Sequence, residues 1–359
     1  MQVKGITATV VFESSAVNRD DKLGDNITSI KKLSRFDGTY SFMGRAFLRH
    51  HMFVTLNQLY GWEDAPVKEH KKVIQFAFPT ANIISYPEMD LFGFMNTEMD
   101  VVRKAPLGMT KAISLEPWQA DMAFYANHDL VKRNLRQGNP SNPNPFQKEE
   151  HHTYYRLSFT LDLCRFGCHE VLKVKKKMPK EIDDWIKLLP EASAEGFESP
   201  NDCEQVDWQE YQWYQVPDDH GQISGKVGIA TKGDVEQMLF IVSKEERNKR
   251  IEQVLSVIKN GFMIHSSTEE YGMVPMFIVI GLLKVPVPVF NSAIQIKEGK
   301  IQSNPLNQVL NNEYVERAWY DSILPIDDGL MTSETSSNGS NDNVFLPLSS
   351  INDIMKNLV

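Results

Sequence analysis

Cysteine is almost missing from this chain, with only Cys164, Cys168 and Cys203 among 359 residues. An odd count without a paired pattern excludes a disulfide framework as the basis of the fold. The spacing of these cysteines also fits no common structural zinc site. Long apolar runs are missing too. The longest, Met273 to Val289, is broken by Gly281, Pro286 and Pro288, and a membrane helix needs about 18 uninterrupted apolar residues. The chain opens directly on a strand-like run, without the three regions of a signal peptide. The expectation is a cytoplasmic protein with no membrane partner. No Walker-type glycine loop, G-x-S-x-G elbow or H-E-x-x-H helix is present. No catalytic set, no metal and no cofactor are expected.

Net positive charge is also lacking: the balance is −9. Its distribution matters more than its sum. Residues 101–180 hold 14 Lys or Arg against 7 Asp or Glu, whereas residues 181–240 hold 3 against 14. One basic groove and one acidic face would produce that asymmetry, so a polyanionic partner remains compatible with the acidic whole.

The patterning is that of an α+β protein. Residues 2–13 are β-branched and alternate, as a strand does. Residues 14–38 are polar, punctuated by Gly24 and Gly38, and suggest a long functional loop. Thr39 to Leu59 has helical spacing, with Thr39 as a cap and Gly61 beyond the end. Strands are expected around Pro79 and Pro87, and a basic helix before Gly138. Three prolines keep 138–146 irregular. Tyr154–Leu163 and Val274–Leu283 read as strands. Ser243–Lys259 is a second helix, in which Ser243 and Glu246 stand at capping-box spacing. Residues 190–226 are acidic and rich in Trp and Tyr, as in an insertion. Residues 331–343 read as a flexible linker and 344–359 as a tail with a short helix. Two helices far apart among strands suit a split β-α-β, ferredoxin-like plan.

The densest cationic group lies between Lys31 and His51: Lys31, Lys32, Arg35, Arg45, Arg49, His50 and His51, opposed only by Asp37. On a helix Ser41, Arg45 and Arg49 share a face, and guanidinium forks in a line suit successive phosphates. A solvated helix face would look the same. Asn18 and Arg19 after the first strand, and Arg103 and Lys104 before Ala105-Pro106-Leu107-Gly108, form two further polar pairs with the same two readings. Phe124 and Tyr125 lie near His128, Lys132 and Arg133, where rings could stack on bases; core packing is the more common fate of such rings. Adjacent histidines diverge on any regular backbone, which counts against metal sites at His50–His51 and Glu149-Glu150-His151-His152. Asp20, Asp21, Asp25 and Asp37 read as solvated loop carboxylates, or as groups that assist RNA cleavage.

Several segments, in the right order, resemble one family. They are Lys4 through Asp20, Tyr40 to Phe53, Arg103-Lys104-Ala105-Pro106-Leu107 with Ile113-Ser114-Leu115, and Phe146 through Leu163. They are similar to the subtype I-B Cascade backbone proteins of the DevR group, in the RAMP superfamily. The likeness covers most of residues 1–165 and resumes more loosely from Arg247 to Ile294. The resemblance implies a modified RRM (ferredoxin-like) palm over residues 1–330, with finger and thumb insertions within about 60–150. It implies subunits lined head to tail along CRISPR RNA, together with other Cascade subunits and with target DNA reached through guide pairing. Carried over by position, it implicates Ser41, Arg45 and Arg49, with Asn18, Arg19, Arg103 and Lys104, in RNA binding without catalysis; Lys31, Lys32 and Arg35 of the cationic group are expected to join them. The alternative within that superfamily is an RNA endonuclease using a loop aspartate such as Asp37.

Overall fold

In β1 (Gly5–Ser15), Ile6, Ala8, Val10 and Phe12 alternate with Thr7, Thr9 and Val11, and both sets are buried. Alternate residues face opposite sides of a sheet, so this strand is covered on both. It lies inside a nine-stranded sheet. The computed structural model describes residues 3–23, 26–175, 177–193, 210–217, 221–266, 269–332 and 344–358.

The stretch 14–38 is not one loop. It forms the hairpin β2 (Arg19–Leu23) and β3 (Ile27–Ile30), then a second hairpin, β4 (Lys32–Arg35) and β5 (Gly38–Met43), at the edge of the main sheet. The β-branched Ile27, Thr28 and Ile30 favour a pleated backbone, a signal masked by the polar residues around them. Thr39 and Ser41 are therefore strand residues, and the helix begins later, as α1 (Arg45–Tyr60). Gly44 is its N-cap and offers no side chain; the Asn18 Oδ1 accepts the Gly44 N–H at 2.7 Å instead. Gly61 ends the helix in the left-handed region, φ 68°, where a residue without Cβ is unstrained.

Beyond α1 come the hairpin β6 (Val67–His70) and β7 (Val73–Phe76), then α2 (Pro87–Phe92) and the pair β8 (Phe94–Asn96) and β9 (Val101–Arg103). β10 (Leu107–Met109) and β11 (Ala112–Ser114) return to the main sheet. β12 (Met122–Ala126), α3 (His128–Arg136) and β13 (Pro145–Glu149) leave it again, and β13 joins β3 in a four-stranded sheet. The stretch 60–150 is thus two excursions separated by main-sheet strands. β14 (His152–Asp162) then pairs antiparallel with β1, β10 and β11.

A five-stranded sheet follows. β15 (Cys168–Val174), α4 (Lys180–Ile186), β16 (Glu191–Ala192), β17 (Gln212–Pro217), β18 (Ile223–Lys232) and β19 (Val235–Val242) build it in the order β15-β19-β18-β17-β16. Part of the acidic stretch 190–226 lies outside the described residues; its described strands belong to this sheet. Val171, Ile182, Val227 and Phe240 share one core with Phe78, Ile84, Met89 and Val101, which joins the first excursion to this second sheet. Cys164 is disulfide-bonded, which the odd cysteine count did not suggest.

α5 (Lys244–Asn260) begins where expected, with Ser243 Oγ accepting the Glu246 N–H at 3.3 Å. β20 (Phe262–Ser266) and β21 (Glu269–Met273) form a hairpin, and β22 (Phe277–Leu283), wholly buried, pairs with β1. β23 (Ile296–Lys297), β24 (Lys300–Ile301) and α6 (Ser303–Leu310) lead to β25 (Val315–Ser322). The linker read at 331–343 lies largely outside the described residues. The tail is no appendage: β26 (Phe345–Pro347) adds in parallel to β25, and α7 (Ile351–Met355) places Ile351 and Ile354 in the main core.

The middle of the large sheet runs β22-β1-β14-β10, antiparallel throughout, with α1 between β1 and β10 and α5 between β14 and β22. Leu48, Met52 and Leu56 of α1 and Ile251, Val254 and Leu255 of α5 cover the face that carries Ile6, Val10, Leu157 and Ile280. Burying each such side chain contributes roughly 1.5–3 kcal/mol. The opposite face packs Val11 and Val279 against Phe290, Leu306 and Phe345. Among the described residues no helix is long and apolar enough to cross a membrane.

Candidate nucleic-acid interface

The Arg-Lys pair at 103–104 is divided by the strand it ends. Arg103 turns inward and is 4% exposed; its guanidinium pairs with Asp90 and donates to the carbonyls of Cys168 and Arg165. Burial lowers the Arg103 pKa, against the pull of Asp90. Lys104 turns outward, is exposed, and makes no ion pair among the described residues.

Opposite Lys104 stands α1. Arg45 and Arg49, one turn apart, line with Lys104 a cleft of about 710 Å³, whose other wall runs from Ala105 to Met109. Arg45 is exposed and unpaired among the described residues. Arg49 is held over the Phe92 ring, 4.8 Å from its centroid, with Glu88 at 3.6 Å. Burial lowers the Arg49 pKa and raises that of Glu88, each shift opposed by the charge of the other. His50 completes the basic wall.

The other residues singled out in sequence lie elsewhere. Ser41, on β5 and fully buried, bonds Tyr155 Oη at 2.6 Å and His151 Nδ1 at 2.8 Å. It shares no helix face with Arg45. Asn18 anchors the start of α1, as described. Arg19 donates to the Glu149 carbonyl and pairs with Glu150 and Glu269. Lys32 bonds Glu149 at 2.6 Å beneath the Trp118 ring. Lys31 pairs with Asp20 at 3.0 Å, and the exposed Arg35 stacks over Tyr40. The structure thus brings Arg45, Arg49 and Lys104 together, and gives Asn18, Arg19, Lys32, Ser41 and Arg103 partners inside the protein.

Glu149, Glu150 and His151 are engaged in these contacts, and among the described residues no group of three or more His, Cys, Asp or Glu is placed to hold a metal. Asp37 accepts the Tyr40 hydroxyl at 2.9 Å. Phe124 and Tyr125 are 65% and 40% exposed rather than core, and α3, which follows their strand, buries no residue. Tyr125 stacks on Phe146 with centroids 5.1 Å apart.

Sequence reasoning missed the buried arginines of α5. Arg250 is 1% exposed and reaches Asp90 at 3.4 Å and the carbonyls of Ile83 and Ile84; Arg247 holds the carbonyls of Phe166 and Leu163. In a helix rich in Lys and Glu, no local pattern distinguishes them from a solvated face. Lys4 and Arg165, isolated cations that flank the same region as Lys104, carried no local signal either.

Comparison with known proteins agrees with this frame. A curated relative from Myxococcus xanthus (strain DK1622), "CRISPR-associated protein Cas7/Cst2/DevR", is 30% identical over 121 residues, which is 31% of this chain and 38% of that relative. Among solved structures, a chain of a "CRISPR RNA-guided surveillance complex, pre-nicking" has a similar fold. Its TM-score is 0.54 at 9% identity, over 99% of this chain and 100% of that one. The family described as "CRISPR-associated negative auto-regulator DevR/Csa2" matches residues 6–305. This chain belongs to the DevR/Csa2 family of CRISPR-associated proteins.

Proposed function

We propose that the chain is a CRISPR RNA-binding backbone subunit of a type I-B, Cascade-like surveillance complex, and that it cleaves nothing itself. The observation that carries this reading is the α1 cleft, where Arg45, Arg49 and Lys104 face one another across a groove open to solvent. Guanidinium and ammonium groups without base-reading partners suit a sugar–phosphate backbone of any sequence, and a guide whose sequence varies demands that. Target DNA is then read by base pairing to the guide.

The β22-β1-β14-β10 order, with a helix in each crossover, supports an RRM-like palm. The excursion through β6–β9 is the finger, and β12–α3–β13, which buries no residue of its helix, is the thumb. Head-to-tail copies need two different complementary faces that do not close into a ring. The acidic 181–240 region of one copy meeting the basic 101–180 region of the next supplies that pair, and further Cascade subunits cap the row.

Single-stranded RNA of mixed sequence, titrated at several salt concentrations, tests the reading. Binding should weaken steeply with salt, and guide-paired RNA should survive incubation with divalent metal. Cleavage abolished by Asp37→Ala would replace the scaffold with the endonuclease alternative. Charge reversal across 181–240 should shorten the assembled rows; unchanged length would remove the head-to-tail pairing.

A further inference from the structure

The large sheet carries unbalanced charge on the side that faces away from α1. Directly paired residues share a face of a sheet. Phe42 of β5 pairs with Ile113 of β11, and Ile113 pairs with Arg156 of β14, so the three form a row. Tyr155 and Leu157, which flank Arg156, belong to the core under α1 and α5, so the row lies on the helix-free side. Tyr40, two residues before Phe42, lies on that side with its β4 partner Leu33.

Three cations gather along this row. Arg35 lies over the Tyr40 ring, Lys111 lies over Phe42 with Nζ 4.3 Å from the ring centroid, and Arg156 ends the row. Arg35 and Lys111 are exposed, and none of the three makes an ion pair among the described residues. None of them lines the α1 cleft. Arg156 is tethered at one corner, its Nη1 donating to the Ile294 carbonyl at 3.2 Å, while its Nε is buried with no hydrogen-bond partner among the described residues. Burial, and then the charge of Arg35, lower the Arg156 pKa, so the two guanidiniums are near enough to repel. Asp37, the only carboxylate between Lys32 and Met43, accepts the Tyr40 hydroxyl. Like charges held together with a donor unmatched are arranged for an anion from outside the chain. Phe36, next to Arg35 at the hairpin turn, is fully exposed. A base can stack on such a ring, and a carboxylate cannot.

We propose that Arg35 and Arg156, with Lys111 beside them, hold a backbone phosphate of a nucleic acid on the helix-free face of the sheet. This rests on the reading of the chain as an RNA-binding subunit. The test uses the full chain, titrated over salt with mixed-sequence single-stranded RNA and with the same RNA paired to complementary DNA. On a single strand, each phosphate that the protein ceases to neutralise flattens the slope of log K against log salt by about 0.7. Arg35→Ala/Lys111→Ala, both at exposed positions, should flatten the slope by about that amount and weaken binding several-fold, without loss of stability. Phe36→Ala should weaken binding at an unchanged slope. Arg35→Glu brings Arg156 the carboxylate it lacks, so it should weaken RNA binding and raise the melting temperature. Flattening with both ligands assigns the phosphate to the RNA; flattening with the hybrid alone assigns it to the paired strand. If Arg35→Ala/Lys111→Ala leaves the slope as it was while Arg45→Ala/Arg49→Ala flattens it, the inference falls and the functional reading stands. If the double variant instead alters only the self-association of RNA-free protein, the cations meet carboxylates of a second copy and the inference falls. Wild-type protein that binds neither ligand removes both.

Discussion

The guanidinium of Arg103 is ion-paired with the carboxylate of Asp90 where the side chains are 2% and 0% exposed. The same carboxylate reaches Arg250 of α5 at 3.4 Å, and Glu246 holds that arginine at 2.9 Å, so two carboxylates and two arginines meet at the join of α2, β9 and α5. Removing one partner of a buried pair leaves an uncompensated charge, and that costs about 3–5 kcal/mol. Arg103→Ala leaves Asp90 with Arg250 still at 3.4 Å, so it should lose less than that, roughly 1–3 kcal/mol, in urea unfolding. Because Arg103 also fixes the backbone that presents Lys104, RNA binding should fall with it. A loss below about 1 kcal/mol would mean that water reaches the pair.

Gly93 makes the same region possible from the other side. Its φ is 65°, and a Cβ added there would lie 2.6 Å from the Ala105 nitrogen and 2.9 Å from its Cα. Gly93→Ala should destabilise by roughly 1–3 kcal/mol through strain and overlap. It should also weaken RNA binding, since Ala105 follows Lys104. Unaltered melting and binding would show that this close approach carries no weight.

His169 has a pH signature. It is stacked on Phe240 and edge-on to Phe94, and among the described residues neither ring nitrogen has a partner of ordinary hydrogen-bond geometry. Burial, with the charge of Arg103, pushes its pKa down to about 3; the Val102 backbone opposes this weakly. The folded state thus resists a proton that the unfolded chain accepts near pH 6.5. This group's contribution is full above about pH 6.5 and is lost as the pH falls toward 3. His169→Phe, which keeps the aromatic packing, should flatten the fall in stability across that window in unfolding curves. Parallel curves for the two proteins would contradict the assignment.

Much of the frame was legible in the sequence because its signals are local. β1, β14, β22 and α5 were marked by alternation, unbroken hydrophobicity or a capping serine, and Gly61 marked the end of α1. The start of α1 was not, because its N-cap is Gly44 and the acceptor is Asn18, far off in sequence. The β12–α3–β13 unit was half legible: its basic helix was expected, but exposed aromatics cannot be told from core aromatics without knowing what covers them. At the candidate site, Arg45 and Arg49 followed from helical spacing. Lys104 was seen only as half of a pair, and its separation from Arg103 depends on Asp90, which no local pattern connects to it.

The central claim is that the α1 cleft holds RNA, and the most direct measurement is the nucleic acid that copurifies with the chain. The ratio of absorbance at 260 to 280 nm would be read for the wild type and for Arg45→Ala/Arg49→Ala. The account predicts RNA of mixed sequence with the wild type and its loss in the double variant, with melting little changed because Arg45 is exposed and Arg49 half-exposed. A wild-type protein free of RNA that also ignores added single strands would contradict it.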